Sequence, residues 1–333
     1  MIQHNFNLVN LNTLGVAAHA HNYYCLESTE QLAELNQLAQ PVFYLGGGSN
    51  VLFTKDYSGT VLHNCLKGIE VIEEDHDSIL VCAHAGENWH NFVTYAIDAG
   101  WFGLECLAYI PGTVGATPVQ NIGAYGVEAK DYIEKVRVYN FQTQAFEYYD
   151  NQDCRFAYRD SAFKAELKDR LVISVNFRLS KTPVKYERFY PALQDHLLSQ
   201  NIVEPTPKDI YQAVIAVRQS KLPEVGEIGS AGSFFKNPVV TQRHFEELIQ
   251  KFPKLSSYPY DDQHVKLPAG QLIDMLGFKG DYHDNVGMYE KQALILVNLG
   301  GATGKALHQH SLKVMKAVED QFKICLEPEV IIL

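Results

Sequence analysis

Apolar and polar positions along the 333-residue chain change period repeatedly, predicting short strands interleaved with amphipathic helices. Residues 1–66 mix short strands with one amphipathic helix near Glu30–Ala39, and VFYLGGGSNVLF at 42–53 predicts strand–turn–strand. Over 67–180 the runs SILVCAHAG and RLVISVNFRL predict strands, with a helix at Trp89–Ala99. A polar, Pro-containing stretch at 181–210 breaks this rhythm. Further helices are predicted around Tyr211–Ser220, Gln242–Lys251 and Ala269–Leu276. Another is predicted at Lys305–Phe322, where Leu312, Met315, Val318 or Glu319, and Phe322 follow helical spacing. The closing EVIIL has the composition of a buried strand that returns to an earlier sheet. There is no internal repeat or low-complexity segment, and the predicted fold class is α+β.

Composition narrows the function classes. The chain is 46% hydrophobic and 20% charged, an ordinary globular balance with enough length for two or three domains. A formal net charge of −11 and the lack of a basic stretch argue against nucleic acid as a partner. The N-terminal MIQHNFNLVNLNTLG lacks the basic and apolar regions of a signal peptide, and no apolar run has membrane-spanning length. The expected location is therefore the cytoplasm, with no membrane insertion. Cys25, Cys65, Cys82, Cys106, Cys154 and Cys325 have no CxxC spacing, as expected of reduced thiols.

Two glycine-rich segments carry the strongest local signal. LAYIPGTVGATPVQNIGAYG at 107–126 places Gly112, Gly115, Gly123 and Gly126 among Pro111, Pro118 and apolar residues, with no charge. Such a segment suits backbone packed against something large and flat, where a Cβ would collide and a charge would be stranded. A bound cofactor and a ligand-free buried turn both fit. Gly46, Gly47, Gly48, Ser49 and Asn50 form the other segment, the first in chain order, whose amides can converge on a pyrophosphate. The G-x-G-x-x-G register fails at Val51 and no helix pattern follows, so this is not the usual dinucleotide fingerprint. A glycine hairpin explains it equally well.

Three polar constellations could carry chemistry. In FAYRDSAFK, Arg159 is flanked by aromatics and can grip a carboxylate at two points, or simply pair with Asp160 on a strand edge. In GSFFKNP, Ser233 lies between a glycine and two aromatics without a G-x-S-x-G elbow, so it suits proton delivery better than acyl transfer; a turn serine is the plain alternative. In LEPEV, Pro328 sets Glu327 and Glu329 apart, one solvated and the other free to be buried beside Val330.

The ordered set GGGSNVLF, AGENWHNFV, IPGTVGATPVQNIGAYG, CRFAYRDSAFK, GSAGSFFKNP and LEPEV resembles the type I UDP-N-acetylenolpyruvoylglucosamine reductases, the MurB family, from about Asn12 to Val330. The resemblance implies an α+β chain with an FAD-binding fold of the vanillyl-alcohol-oxidase type and a C-terminal α+β substrate-binding domain. The implied boundaries are 1–66 and 67–214 for two FAD-binding subdomains, with 320–333 returning to the second, and 215–319 for the substrate. Non-covalent FAD would be held by Gly46, Gly47, Gly48, Ser49 and Asn50 and by Pro111, Gly112, Gly115, Asn121, Gly123 and Tyr125.

The implied reaction reduces UDP-N-acetylglucosamine enolpyruvate to UDP-N-acetylmuramate for peptidoglycan synthesis, with NADPH as co-substrate. Hydride would pass from reduced FAD N5 to C3 and a proton from Ser233 to C2. Arg159 and Glu329 would stabilise the enolate-like charge, which for Glu329 requires a proton. Tyr190 (with Tyr186 as fallback), Lys221, Asn237 and Gln292 would grip the substrate of an enzyme expected to be a monomer. Ala116, where many relatives have glycine, and Tyr289–Glu290, in place of a basic pair, depart from the pattern.

Other motifs are decoys. GGATGKA at 300–306 lacks the first glycine and closing hydroxyl of a P-loop. The pairs His19/His21, His84/His90 and His308/His310 have no Cys or carboxylate at ligand spacing, so no metal is expected. Cys106 could link a flavin covalently, but the resemblance implies non-covalent binding. A different flavin oxidase and a non-enzymatic nucleotide-sugar binder remain open alternatives. The first would not need Arg159, Ser233 and Glu329 together, and the second would not need flavin.

Overall fold

The computed structural model describes residues 1–186, 189–224 and 226–333, with the side chains of Asn36 and Gln37 outside the description. The chain forms two compact units built from alternating segments. The first comprises Met1–Asn5, His21–Gly47 and Ser58–Ser220; the second comprises Phe6–Ala20, Gly48–Tyr57 and Lys221–Leu333.

The first unit contains two sheets. A five-stranded antiparallel sheet runs in the order Ala145–Asp150, Ile133–Asn140, Arg170–Ser180, Ser78–His84 and Ile69–Glu74. A four-stranded sheet has the order Gln3–Asn7, His19–Leu26, Tyr57–Asn64 and Val42–Leu45, its last pair parallel; some of these strands end across the unit boundary. The helix predicted at Trp89–Ala99 is α1 (Trp89–Asp98). It buries Trp89, Phe92, Val93, Ala96 and Ile97, the i, i+3, i+4, i+7, i+8 stripe of an amphipathic helix. The Asn88 side chain caps it by accepting from Asn91 N–H at 3.0 Å. Phe177 of the central strand packs against Trp89 and Phe92 at ring distances of 5.7 and 5.1 Å. The indole N–H reaches the Leu107 carbonyl at 2.8 Å, so the core places the start of the second glycine segment.

Three elements of this unit differ from expectation. Residues Thr29–Gln37 form a 3-10 segment instead of an α-helix, because Leu32, Leu35 and Leu38 recur every third residue and match three residues per turn. The polar stretch 181–210 contains helix α3 (Pro191–Ser199), started by Pro191 and buried through Leu193 and Leu197. It follows the short α2 (Thr117–Gln120), and α4 (Pro207–Lys221) begins a turn before its predicted start. Cys25 and Cys65, expected as thiols, are joined by a disulfide. Neighbouring strands bring their Cα atoms to 6.2 Å despite a sequence separation of 40.

The second unit has a four-stranded sheet ordered Gly229–Ser233, Ile295–Asn298, Val286–Met288 and Tyr282–His283. A three-stranded sheet is ordered Val239–Thr241, His264–Lys266 and Tyr258–Pro259. Helices α5 (Gln242–Lys251), α6 (Ala269–Met275) and α7 (Gly304–Phe322) agree with the sequence pattern. The inner face of α7 is Leu307, Val314, Val318 and Phe322, while Leu312 is exposed, so the apolar stripe is rotated from the predicted one. A Cβ on Gly304 would strike the Phe53 carbonyl, so the helix start presses directly on the 53–54 backbone. Ile331–Ile332 pairs in parallel with Val51–Leu52. The last strand thus returns to an early segment, but to 51–52 and not to the 67–214 block.

Replacing Trp89 by Ala is expected to destabilise the first unit by about 3–5 kcal/mol through cavity formation. Chemical denaturation followed by circular dichroism checks this; an unchanged midpoint would show that the Trp89–Phe177 contact does not support the core.

Candidate active site

In the first unit the two glycine segments meet. A Cβ on Gly46 would lie 2.6 Å from Thr113 Oγ1, and one on Gly47 would lie 2.9 Å from Gly112 Cα. The hairpin alternative fails because Val42–Leu45 pairs with Tyr57–Asn64 and Val51–Leu52 pairs with Ile331–Ile332. The second segment is tied down by main-chain bonds: Trp89 N–H to Gly112 at 3.1 Å, Val114 N–H to Glu87 at 2.9 Å and Gly115 N–H to Ala85 at 2.9 Å. These explain why AGENW accompanies the glycines in sequence. Gly46 and Gly47 with Gly112 and Thr113 form a wall of uncharged backbone in this unit, whose close approach without side chains fits the flat rings of FAD. Cys106 is buried, and burial first, then Glu105, pushes its thiol up to about 12, making it a poor nucleophile.

Arg159 belongs to the same unit. It lies in a tight turn closed by two main-chain bonds between Ala157 and Asp160 (3.0 and 3.2 Å), and its φ of +55° is unusual for a side chain of this size. Its guanidinium donates to the Gly123 carbonyl at 2.6 Å and the Asn121 carbonyl at 3.4 Å. The Asn121 carboxamide is fully buried; it donates to the Ala157 carbonyl (2.9 Å) and Glu128 (3.0 Å) and accepts from Lys130 N–H (3.1 Å). Its side chain thus supports the Arg159 turn.

Sequence reasoning missed Arg218. On α4, it donates from Nε to the Tyr109 carbonyl at 3.0 Å, with Tyr125 and Arg159 within electrostatic range. Burial, first of all, lowers its pKa; Arg159 adds to that and Tyr125 opposes it. Two guanidiniums gathered beside a glycine segment suit an anionic ligand. The only signal in sequence was a lone arginine on the apolar side of QAVIAVRQSK. Tyr109, whose φ of +58° turns the chain here, packs edge-on to His90 at 5.5 Å.

The two candidate tyrosines separate clearly. Tyr186 donates to the wholly buried Glu105 at 2.5 Å, and burial raises its pKa above the ordinary phenol value. Tyr190 is exposed and stands edge-on to Tyr125 at 6.1 Å.

In the second unit the main chain brings Ser233, Glu329 and Asn50 together. Glu329 N–H donates to the Phe234 carbonyl at 2.8 Å, Lys236 N–H donates to Glu327 at 2.9 Å, and Phe235 bridges Pro328. This ladder sets Ser233, exposed, next to Glu329, half-buried, above the fully buried Phe234 and Phe235. Asn50 Nδ2 donates to the Glu329 carbonyl at 3.1 Å, and Ile331 N–H donates to the Asn50 carbonyl at 3.1 Å. Gly48 (φ +63°) has no room for a Cβ beside the Leu11 carbonyl. Glu327 is exposed and pairs with Lys236 at 3.2 Å, the solvated partner of the LEPEV pair. Asn237 accepts from Ala269 N–H at 2.9 Å, and Gln292 Oε1 lies 2.8 Å from the place of a Cβ on Gly270, so both meet the start of α6. Lys221 is exposed at the end of α4. The P-loop decoy is a turn whose Gly300 and Ala302 amides donate to the Asn298 side chain at 2.9 and 3.1 Å.

Two family models match parts of the chain. Residues 20–143 match the FAD binding domain family, and residues 223–333 match the C-terminal domain of UDP-N-acetylenolpyruvoylglucosamine reductase. The UDP-N-acetylenolpyruvoylglucosamine reductase of Flavobacterium johnsoniae is 46% identical over 332 residues, covering 99% of this chain and 98% of its own. That of Chromobacterium violaceum is 46% identical over 330 residues, covering 97% and 96%. The crystal structure of UDP-N-acetylenolpyruvylglucosamine reductase (MurB) from Thermus caldophilus superposes with a TM-score of 0.65 at 24% identity, covering 100% of this chain and 98% of that one. The fold is thus α+β, an FAD-binding domain followed by the C-terminal domain of this family. Identity at this level across nearly the whole length means that the chain belongs to the UDP-N-acetylenolpyruvoylglucosamine reductase family.

Proposed function

We propose that this chain is an FAD-dependent UDP-N-acetylmuramate dehydrogenase that uses NADPH to reduce UDP-N-acetylglucosamine enolpyruvate during peptidoglycan precursor synthesis. The observation that carries the reading, beside family membership, is the Glu329 N–H to Phe234 hydrogen bond, which brings the main chain of Glu329 to the residue following Ser233 in the second unit. Bound FAD supplies hydride transfer, from NADPH to the enolpyruvyl C3. Gly46–Asn50 and Pro111–Tyr125 would hold it, through main-chain amides and close backbone approach.

The chain's own residues handle charge and protons. Arg159, oriented by two main-chain carbonyls, would stabilise the substrate carboxylate, where charge develops as C3 is reduced. Arg218 adds positive potential from α4. Glu329 would assist at the same developing charge, which requires that it carry or share a proton. Ser233 delivers a proton to C2; an alcohol is a weak acid, so a polarising neighbour or a water relay must assist it. Residues 215–319 would carry the substrate grip through Lys221, Asn237 and Gln292, with Tyr190 as the aromatic contact. Among the described residues no helix is long and apolar enough to cross a membrane. A cytoplasmic monomer without membrane insertion fits a nucleotide-sugar substrate and the acidic surface.

Anaerobic stopped-flow spectroscopy separates the two half-reactions. Ser233→Ala is expected to keep flavin bleaching by NADPH while slowing reoxidation by the enolpyruvyl sugar about 10²–10⁴-fold. Reoxidation at the parent rate would remove Ser233 from the chemistry, and failure of the sugar to reoxidise the parent enzyme would overturn the substrate. Arg159→Lys is expected to slow the same phase by about 10²–10³-fold, because a lysine cannot reproduce the planar two-point grip. Tyr190→Ala is expected to raise KM for the sugar with little change in stability. Tyr186→Phe removes the phenol hydrogen bond to buried Glu105, leaving it the Gly103 N–H, and is expected to destabilise the fold by about 1–3 kcal/mol at unchanged KM. Exchange of these two outcomes would reassign the tyrosines.

A further inference from the structure

Outside the flavin and substrate residues, one cluster of metal-type donors stands on the first unit's four-stranded sheet. Cys25 lies on the strand His19–Leu26, and His63 lies on its neighbour Tyr57–Asn64 with Cys65 just beyond. Residues two apart on a strand share a face, so His63 and Cys65 point together, as do Tyr23 and Cys25. Cys65 N–H donates to the Leu26 carbonyl at 2.8 Å, which keeps the two strands in register there. One ligand atom from each of Cys25, His63 and Cys65 lies within 4.8 Å of the other two, and all three residues are partly exposed. Among the described residues this is the one trio of His, Cys, Asp or Glu donors so placed. The imidazole is anchored by the Tyr23 hydroxyl, 2.8 Å from Nδ1, as an outer group orients a ligating histidine.

We propose that Cys25, His63 and Cys65 form a binding site for a soft divalent cation of the zinc type, open when the Cys25–Cys65 bond is reduced and closed when it is formed. Two thiolate sulfurs and one imidazole nitrogen make a three-ligand set that leaves a fourth tetrahedral position for water at the partly exposed surface. The donors rule against calcium or magnesium, which prefer oxygen. Opening takes two electrons and two protons from a dithiol, which closes to its own disulfide. Binding then releases one proton from each cysteine as its sulfur bonds the cation. The other thiols are poor competitors: Cys82, Cys106 and Cys154 are buried and Cys325 stands apart at the surface. The site is separate from Arg159, Ser233 and Glu329, but not remote from the cofactor wall, since His63 is paired in register with Leu45, the residue before Gly46.

The test is equilibrium dialysis of the FAD-loaded protein against zinc, with bound metal measured by plasma mass spectrometry. Protein reduced with dithiothreitol, then freed of it anaerobically, is expected to retain one zinc per chain. The same protein with its disulfide intact is expected to retain less than a tenth of that. Cys25→Ser and Cys65→Ser should each weaken retention at least 100-fold, and His63→Ala about 10–100-fold, with flavin content confirming the fold. Cys325→Ser serves as the unaffected control. Absence of zinc from the reduced parent protein would overturn the proposal, as would retention unchanged in the folded Cys25 and His63 variants. Failure of flavin reoxidation by the sugar would bear only on the proposed reaction, since zinc retention is read without turnover.

Discussion

Backbone meeting backbone with no Cβ between them is the constraint on which the cofactor wall depends. Gly47 rests on Gly112, Gly46 beside Thr113, and Gly115 on Ala85, whose Cβ lies 2.6 Å from where a second one would stand. Any larger residue pushes one segment off the other, and the second segment cannot yield because its amides are pinned to the Ala85–Trp89 turn. That turn is in turn held by the buried Trp89, so the stability of the α1 core and the shape of the wall are one mechanical system. The glycines therefore serve protein–protein contact as much as ligand contact.

The polar residues show a second economy. Arg159, Ser233 and Glu329 are all placed by main-chain geometry: a turn with positive φ for the first, an irregular two-segment ladder for the other two. The Asn121 and Asn237 side chains also tie down a loop and a helix start through their own hydrogen bonds. Substituting either would disturb the site through the element it ties down as well as through any ligand contact.

Much of this was legible in the sequence. Helices α1, α5, α6 and α7 were read within a residue or so because long apolar stripes leave a strong period. The glycine segments and the three catalytic candidates were found because their residue types are unusual where they stand. What escaped depends on contacts distant in sequence. The Cys25–Cys65 pairing follows from strand adjacency, not spacing. Arg218 looks like any helical arginine until the fold gathers it with Arg159. The 3-10 geometry of 29–37 was visible in the three-residue leucine spacing but was overridden by general amphipathicity. Leu312 was assigned to the inner face of α7 because periodicity does not by itself fix phase.

The alternation of the two units along the chain has a consequence for biosynthesis. Leu14, Val16 and Leu52 belong to a core completed by residues beyond 231, and Val51–Leu52 finds its strand partner only at Ile331–Ile332. At the usual ribosomal pace of about 5–20 residues per second, those early segments wait on the order of tens of seconds for their partners. Nascent chains must therefore carry exposed apolar strands through most of translation, and a stalled or truncated product would be a natural client for chaperones.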